Sequence, residues 1–86
     1  MTPKTVRLSQ HALQNAEYRG TTPNEITNAI LTSKWSPAER GRLECRRDYP
    51  YNGIWSGKYY RTKQVRPVFV EEPDEVVVVT VYVYYF

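Results

Sequence analysis

The first third of the chain alternates helix-start signals with short amphipathic runs. Ser9 is a favourable N-cap for a helix over residues 10–18, which Gly20 would end. The sequence Thr-Pro-Asn-Glu at 22–25 is a second start signal, because threonine caps helices and proline fits the first helical position. Ile26, Ala29 and Ile30 then follow at helical spacing. We therefore predict a short first helix and a second helix over 23–32 with one buried stripe.

From residue 34 onward the period changes from helical to extended. A short strand is also predicted earlier, over 5–8, and the next over 42–49. Asn52-Gly53 and Ser56-Gly57 could each close a hairpin, the first being the better two-residue turn sequence. Residues 65–72 and 75–85 are rich in β-formers and flank Pro73-Asp74, which favours a type I turn. These two runs are predicted to form a C-terminal hairpin.

Symmetric pairing about the Pro73-Asp74 turn predicts the two faces of this hairpin. It places Val70 opposite Val77 and Val68 opposite Val79, and these four valines should pack on the stripe of the second helix. The other face would carry Phe69 opposite Val78 and Val65 opposite Tyr82. It would otherwise consist of cations, hydroxyls and aromatic rings, namely Arg61, Lys63, Thr80, Tyr84 and Phe86. Pro67 could bulge its strand, which would shift the register by one residue and exchange the faces.

Length and cysteine content limit the class of protein. With 86 residues the chain predicts one domain, 1–86, with a thin core that homodimerisation would support. The lone Cys45 allows no intrachain disulfide and has no zinc-type spacing around it, so we expect neither metal nor cofactor and a reducing cytoplasm. No apolar run reaches the roughly 18 residues of a membrane span, and the first seven residues lack the apolar stretch of a signal peptide. The expectation is a soluble intracellular protein without a membrane partner.

Charge is distributed unevenly along the chain. All 12 basic residues lie within 1–66, whereas 67–86 carry four acids and no base. The densest basic stretch, 34–66, is interleaved with six Trp and Tyr residues, a mixture suited to RNA because cations neutralise phosphates and rings stack on unpaired bases. The candidate RNA contacts in it are Arg46, Arg47, Lys58 and Lys63. A solvated basic surface over ordinary core aromatics explains the same pattern, and both interpretations stay open.

The residues suited to chemistry lie mainly on the first helix. His11, Asn15 and Arg19 are spaced i, i+4 and i+8, within about 80° of one another around the helix. An imidazole beside a fixed cation suits general acid-base chemistry on a phosphate ester, although a surface histidine and an arginine at a helix C-terminus explain the same residues. The acids at 71–75 fit a solvated turn better than a metal site. The best-matched reaction is metal-free RNA cleavage, in which the 2′-hydroxyl of the substrate attacks its own phosphate.

Short motifs spread over nearly the whole chain resemble a known bacterial family. They are Leu8-Ser9-Gln10-His11-Ala12, Arg19-Gly20, Thr22-Pro23-Asn24-Glu25-Ile26 and the closing Val79-Thr80-Val81-Tyr82. In order and spacing this pattern resembles domain of unknown function 4258, a family similar to the RelE and BrnT toxins. The resemblance implies an α+β fold with two N-terminal helices packed on one face of a curved antiparallel sheet of about four strands, ending in a long C-terminal central strand.

The resemblance also implies a function and a set of site residues. By position, His11, Arg19, Thr80 and Tyr82 match the recurring polar residues of the family. They imply a metal-independent endoribonuclease of a toxin-antitoxin module, with RNA and an antitoxin protein as partners. The family often has arginine where this chain has Asn15, so the missing cation is expected from another basic residue, of which the candidates are Arg47, Arg61 and Lys63. Whether the chain is an enzyme stays open, because a non-catalytic module that binds RNA or protein fits the same residues.

Overall fold

The computed structural model describes residues 4–86, which form two α-helices and six β-strands. The α+β class predicted from the sequence is confirmed. Residues 1–3, part of the N-terminal stretch expected to lack a signal peptide, lie outside the described residues. The elements in chain order are β1 Thr5–Leu8, α1 Gln10–Arg19, α2 Pro23–Thr32, β2 Ser36–Pro37, a 3-10 turn Glu39–Gly41, β3 Leu43–Glu44, β4 Arg47–Trp55, β5 Lys58–Glu71 and β6 Glu75–Tyr85.

Both helices begin at the residues that the capping signals predict, and α1 ends at Arg19, one residue later than predicted. The Ser9 hydroxyl accepts a hydrogen bond from the backbone N–H of Ala12 at 3.1 Å. Thr22 does the same for Glu25 at the start of α2, at 3.2 Å. Gly20 ends α1 with a left-handed φ of 84°, a conformation that glycine adopts without steric cost. No helix within residues 4–86 is long and apolar enough to cross a lipid bilayer.

The sheet is mixed, with six strands rather than about four antiparallel ones. Its order is β1-β6-β5-β3-β2, and β4 also pairs with β5. The long β5 has β4 beside its first half and β3 beside its second half. Strand β1 runs parallel to β6 but covers only residues 75–78. The last strand is therefore central, as predicted, only over its first four residues, where it lies between β1 and β5. From Val79 onward, no strand of the described chain pairs with the side of β6 that faces away from β5.

A β-bulge at Val79 changes the predicted hairpin register. The pair Val70–Val77 forms as expected, and Phe69 pairs with Val78. Val68 then pairs with Thr80 rather than with Val79, so the predicted Val68–Val79 pair is wrong. The extra residue lies in β6 and not at Pro67 in β5. Because side chains alternate along a strand, the odd-numbered residues after the bulge share the face of the even-numbered residues before it.

The core confirms the predicted helix stripe but uses the opposite set of strand residues. Buried residues of both helices, of β5 and β6 and of the β3–β4 connection form one cluster, whose members are Ala12, Ala16, Ile26, Ala29, Ile30, Cys45, Val65, Phe69, Val76, Val78 and Val81. The prediction that Val70, Val77 and Val79 would fill this core is wrong, since all three are only partly buried. The edge of the Trp35 ring meets Phe69 with centroids 5.0 Å apart, so the bulky aromatic pair belongs to the core face.

The hairpin between β4 and β5 closes at Ser56-Gly57 and not at Asn52-Gly53. Trp55 pairs with Lys58 across this turn, in which Ser56 and Gly57 both have positive φ. Asn52 has a φ of 50° and lies where the register of β4 shifts between Pro50 and Gly53. The Asn-Gly sequence therefore forms an irregularity within β4, because asparagine tolerates left-handed backbone in a bulge as well as in a turn.

Candidate functional site

A cleft of about 620 Å³ opens on the face of the sheet opposite the helix-facing cluster. The 3-10 turn and β3 form one wall, and the middle of β5 and the region of β6 just after the bulge form the other. Its polar lining consists of Glu39, Arg40, Arg42, Glu44, Arg66, Thr80 and Tyr82. Three arginines against two glutamates make this lining cationic, which suits a phosphate-bearing ligand.

Arg66 is the most firmly positioned cation of the cleft. Its guanidinium binds the carboxylate of Glu44 through Nε and Nη2, the second bond being 3.1 Å long. Its remaining nitrogen, Nη1, donates to the Tyr84 hydroxyl at 3.1 Å. The hydrogen bond from Arg66 lowers the pKa of Glu44, and the same bond raises the pKa of Arg66. The pair therefore stays ionised at neutral pH and holds the guanidinium beside the cleft.

Tyr82 lies between two guanidinium groups. The Arg66 guanidinium carbon is 5.4 Å from the centroid of the Tyr82 ring, and that of Arg19 is 5.1 Å from it. Arg19 also donates from Nη1 to the carbonyl oxygen of Val81 at 3.2 Å. This hydrogen bond holds the Arg19 side chain of α1 at the unpaired edge of β6. Two guanidinium groups from distant parts of the chain therefore lie close to the Tyr82 ring.

His11 is connected to the cleft through Asn15. The Nδ2 atom of Asn15 lies 2.8 Å from Nε2 of His11 and donates to Oγ1 of Thr80 at 3.2 Å. Thr80 lines the cleft, whereas the His11 side chain is exposed on α1. Asn15, which departs from the family pattern, is therefore the residue that joins the histidine to the sheet. When Nε2 accepts from the amide, the proton of the neutral ring is on Nδ1.

The end of α1, and with it Arg19, is fixed by close packing against Tyr85. The Tyr85 hydroxyl donates to the carbonyl oxygen of Arg19 at 2.8 Å, and its ring stacks on Trp55 with centroids 4.7 Å apart. A Cβ at Gly20 would come within 2.5 Å of that hydroxyl and 2.7 Å of the indole. Burial raises the pKa of Tyr85 to about 12, so the hydroxyl remains a donor at neutral pH.

Two of the predicted RNA contacts lie on the helix side of the sheet instead. Lys63 is buried and its ammonium donates to Glu25 at 2.7 Å and to the carbonyl oxygen of Gly20 at 3.0 Å. Arg47 donates to the Thr32 hydroxyl at 2.6 Å. Both side chains stabilise the contact with α2. Lys63 is too deeply buried for a phosphate to reach it, and Arg47 already donates to a hydroxyl of that helix. Lys63 shares a face of β5 with Val65 and Phe69, and the helices cover that face rather than the face of Val68 and Val70.

The other predicted cations are spread over the surface. Arg46 is exposed, with Nε 3.9 Å from the Glu44 carboxylate, and thus lies beside the cleft. Lys58 is exposed in the β4–β5 hairpin, where its ammonium is 5.7 Å from the Tyr60 ring centroid. Arg61 is exposed near the start of β5, and no contact among the described residues links it to His11, Arg19 or Tyr82. Thr80 and Tyr82, by contrast, both line the cleft.

The sequence did not single out four residues that the fold brings to the cleft: Arg40, Arg42, Glu44 and Arg66. Arg66 shares one face of β5 with Gln64 and Val68. This spacing identifies Arg66 as a site residue only once that face is known to line the cleft. Cys45, for its part, is buried, and burial raises the pKa of its thiol to about 11. It therefore stays protonated at neutral pH and is a poor nucleophile.

Within residues 4–86, no group of three or more His, Cys, Asp or Glu side chains is arranged to hold a metal ion. The cleft is thus best described by its arginines, tyrosine and threonine and by the adjoining histidine. Comparison with known proteins gave no match to a family model, to a curated protein or to a solved structure.

Proposed function

We propose that this chain is a small RNA-directed endoribonuclease that acts without a metal ion. The observation that carries the proposal is the position of Tyr82 between Arg19 and Arg66, at 5.1 and 5.4 Å, in a cleft that Asn15 and Thr80 connect to His11. A phosphate there would meet two guanidinium groups, a phenol and a nearby imidazole. These groups provide charge stabilisation and proton transfer. RNA requires nothing more for cleavage, because its own 2′-hydroxyl is the nucleophile.

In the proposed reaction the 2′-hydroxyl oxygen of one nucleotide attacks the phosphorus that follows it. The O2′–P bond forms, the P–O5′ bond breaks, and the products are a 2′,3′-cyclic phosphate and a 5′-hydroxyl. His11 takes the proton from the 2′-hydroxyl at Nε2, once the Asn15 amide has released that atom to the substrate, and returns a proton to the departing 5′-oxygen. Arg66 and Arg19 stabilise the additional negative charge of the pentacoordinate phosphorus, and Tyr82 orients the phosphate. Arg66 has the charge-stabilising role for which Arg61 is a candidate in the sequence.

The resemblance to RelE and BrnT toxins supports the same function. Two helices packed on one face of a sheet, with the polar residues near the open edge of the last strand, would suit that kinship. We accordingly propose a bacterial cytoplasmic toxin, with cellular RNA as its substrate and an antitoxin protein as its inhibitor. Asn15 is compatible with this proposal because Arg66 supplies a cation within the cleft itself.

The test is cleavage of a set of single-stranded, structured and ribosome-bound RNAs in the presence of EDTA. We expect 2′,3′-cyclic phosphate ends, formed at the same rate with and without the chelator. His11→Ala should lower the rate by roughly 10²- to 10⁴-fold with little change in RNA affinity, because a general acid-base acts mainly in the transition state. Gln14→Ala, an exposed polar change on the same helix, should leave the rate unchanged.

A requirement for Mg²⁺, or a rate indifferent to His11, would refute this mechanism. One observation favours a second function, that of a non-catalytic RNA-binding module: the guanidinium of Arg66 is already neutralised by Glu44 through two nitrogens. Complete absence of cleavage, together with RNA binding that weakens in Arg19→Ala, would select this second function.

A further inference from the structure

Three aromatic side chains follow one another on the exposed face of the last strand. Tyr82, Tyr84 and Phe86 alternate along β6 and its continuation, with exposed fractions of 37%, 43% and 57%. Tyr82 and Tyr84 lie opposite Arg66 and Gln64 in β5. The backbone of Phe86 exchanges two hydrogen bonds with Thr62, which continues the same ladder. The three rings therefore form one row on the cleft side of the sheet, and we call this row the aromatic platform.

Two of the three rings are held in place before any ligand binds. The Tyr84 hydroxyl accepts the Arg66 hydrogen bond of 3.1 Å. Tyr82 is flanked by the guanidinium groups of Arg19 and Arg66. Rings that are ordered in the free protein lose little conformational entropy when a ligand stacks on them. A preorganised row of exposed rings fits the binding of flat ligands better than it fits a solvated strand edge.

The spacing of the rings selects a ligand of extended form. Alternate residues of a strand lie about 6.6 Å apart, which is close to twice the rise of about 3.4 Å per nucleotide in a double helix. Each ring can thus take one base of a strand stretched to about twice that rise, whereas bases in a duplex are already stacked on each other. The platform therefore fits unpaired nucleotides.

Charge around the platform favours nucleic acid over a second copy of the chain. The cleft opens at the Tyr82 end, and the charged residues near that end are Arg19, Arg40, Arg42, Arg46 and Arg66 against Glu39, Glu44 and Asp48. Two copies joined face to face about a two-fold axis would bring this excess of arginine against itself. A phosphodiester backbone instead supplies one negative charge per nucleotide.

We propose that Tyr82, Tyr84 and Phe86 bind three consecutive unpaired nucleotides of RNA by stacking, with the strand running from the cleft along β6. This inference rests on the proposed function and specifies its substrate class as single-stranded RNA. The reacting phosphate would lie at the Tyr82 end, so Tyr84 and Phe86 would contact bases on one side of the cleavage site only. Their removal then weakens binding without removing any group from the reaction.

The test measures binding to a fluorescein-labelled, eight-nucleotide RNA that is 2′-O-methylated throughout and so has no nucleophile for cleavage. Tyr84→Ala and Phe86→Ala should each raise its dissociation constant roughly 5- to 150-fold, the usual loss for one stacked base. Tyr84→Phe keeps the ring and should stay within about three-fold of the wild type, since stacking supplies most of the effect. The control Tyr59→Ala removes a tyrosine that is 55% exposed in the β4–β5 hairpin, on the face of β5 opposite to Gln64 and Arg66, and should change nothing.

Three results would overturn the platform. They are unchanged affinity in the Tyr84→Ala/Phe86→Ala double variant, equal affinity for a duplex of the same length, and a dimer in sedimentation that Phe86→Ala dissociates. The third would identify a second copy as the occupant of this face. Because the probe cannot be cleaved, none of these results depends on catalysis. Loss of RNA cleavage in His11→Ala with normal probe binding would support both proposals, and cleavage that is indifferent to His11 would refute only the first.

Discussion

Lys63 and Arg66 lie three residues apart on β5, each paired with a glutamate, yet they face opposite sides of the sheet. The side chain of Lys63 is 10% exposed beneath α2, with its partner Glu25 on that helix. Arg66 lies beside the open cleft, and its partner Glu44 comes from the neighbouring β3. The Lys63 pair compensates a charge enclosed by the fold, whereas the Arg66 pair holds a guanidinium that is 24% exposed at the cleft.

The basic stretch of the sequence is therefore not one surface in the fold. Nine Lys and Arg residues between 34 and 66 suggest one continuous RNA surface. In the structure, strand alternation and the helix-facing core divide them, so that Lys63 and Arg47 stabilise the contact with α2 while Arg40, Arg42 and Arg66 surround the cleft. Composition predicts a cationic protein, but only the register says which cations a ligand can reach.

The largest expected effect tests the two faces directly. Val78→Asp should destabilise the fold by about 4 kcal/mol or more, because it places an unpaired carboxylate in the fully buried core. Val77→Asp, at the adjacent and only partly buried position, should cost clearly less. Thermal unfolding followed by circular dichroism compares the two variants. Equal melting temperatures would mean that the faces of β6 are assigned wrongly.

The next effect compares the two ion pairs. Glu25→Gln leaves the Lys63 ammonium buried without a counter-charge and should cost about 3 kcal/mol, whereas Glu44→Gln should cost about 1–2 kcal/mol because Arg66 keeps access to solvent. Urea unfolding of both variants provides the measurement, with the exposed Glu17→Gln as control. Adding Lys63→Met to Glu25→Gln should restore much of the loss, since it removes the stranded charge. A double variant as unstable as the single one would argue against a buried pair.

The smallest effect is a dependence of stability on pH that differs between the faces. The Arg66 hydrogen bond lowers the folded-state pKa of Glu44, so its contribution is complete above the unfolded value of about 4.3 and is lost as the pH falls through the folded value. Burial raises the pKa of Tyr85 to about 12, so its contribution is complete below an unfolded value of about 10 and is lost as the pH rises through about 12.

Stability curves of two variants separate these contributions. The gap between wild type and Glu44→Gln should narrow as acid is added, and the gap between wild type and Tyr85→Phe should narrow in alkali. Chemical denaturation across the pH range measures both gaps. A gap for Glu44→Gln that is constant in acid would mean that the carboxylate is not held by Arg66.

The helices could be predicted closely because their signals are local. Ser9, Gly20 and Thr22 cap within a few residues of themselves, and both helix starts follow from those residues. The register of β6 could not be predicted in the same way. A run of four valines at 76–79 offers almost equal burial to either face, so the choice depends on Phe69, Trp35 and the helices, which are distant in sequence.

The same reason limits how much of the site could be predicted. His11, Arg19, Thr80 and Tyr82 were singled out by residue type and order, and the structure brings them to one edge of the sheet. Arg66 is not apparent from the sequence because it shares a face of β5 with Val68 and Val70, which the prediction turns toward the helices. Glu44 reaches the cleft only through the pairing of β3 with β5. The same choice of face places Lys63 on the exposed side, beside Tyr84 and Phe86.

The bulge at Val79 divides β6 into two stretches that natural variation can alter separately. Before it, Val76 and Val78 face the helices; after it, Tyr82 and Tyr84 face away from them. A deletion of one residue at this point would reverse the second stretch and bury its tyrosines, whereas exchange of one outward ring for another leaves every core contact intact. Related sequences are therefore expected to keep the length of this strand strictly, and to vary in the identity of the rings that it displays.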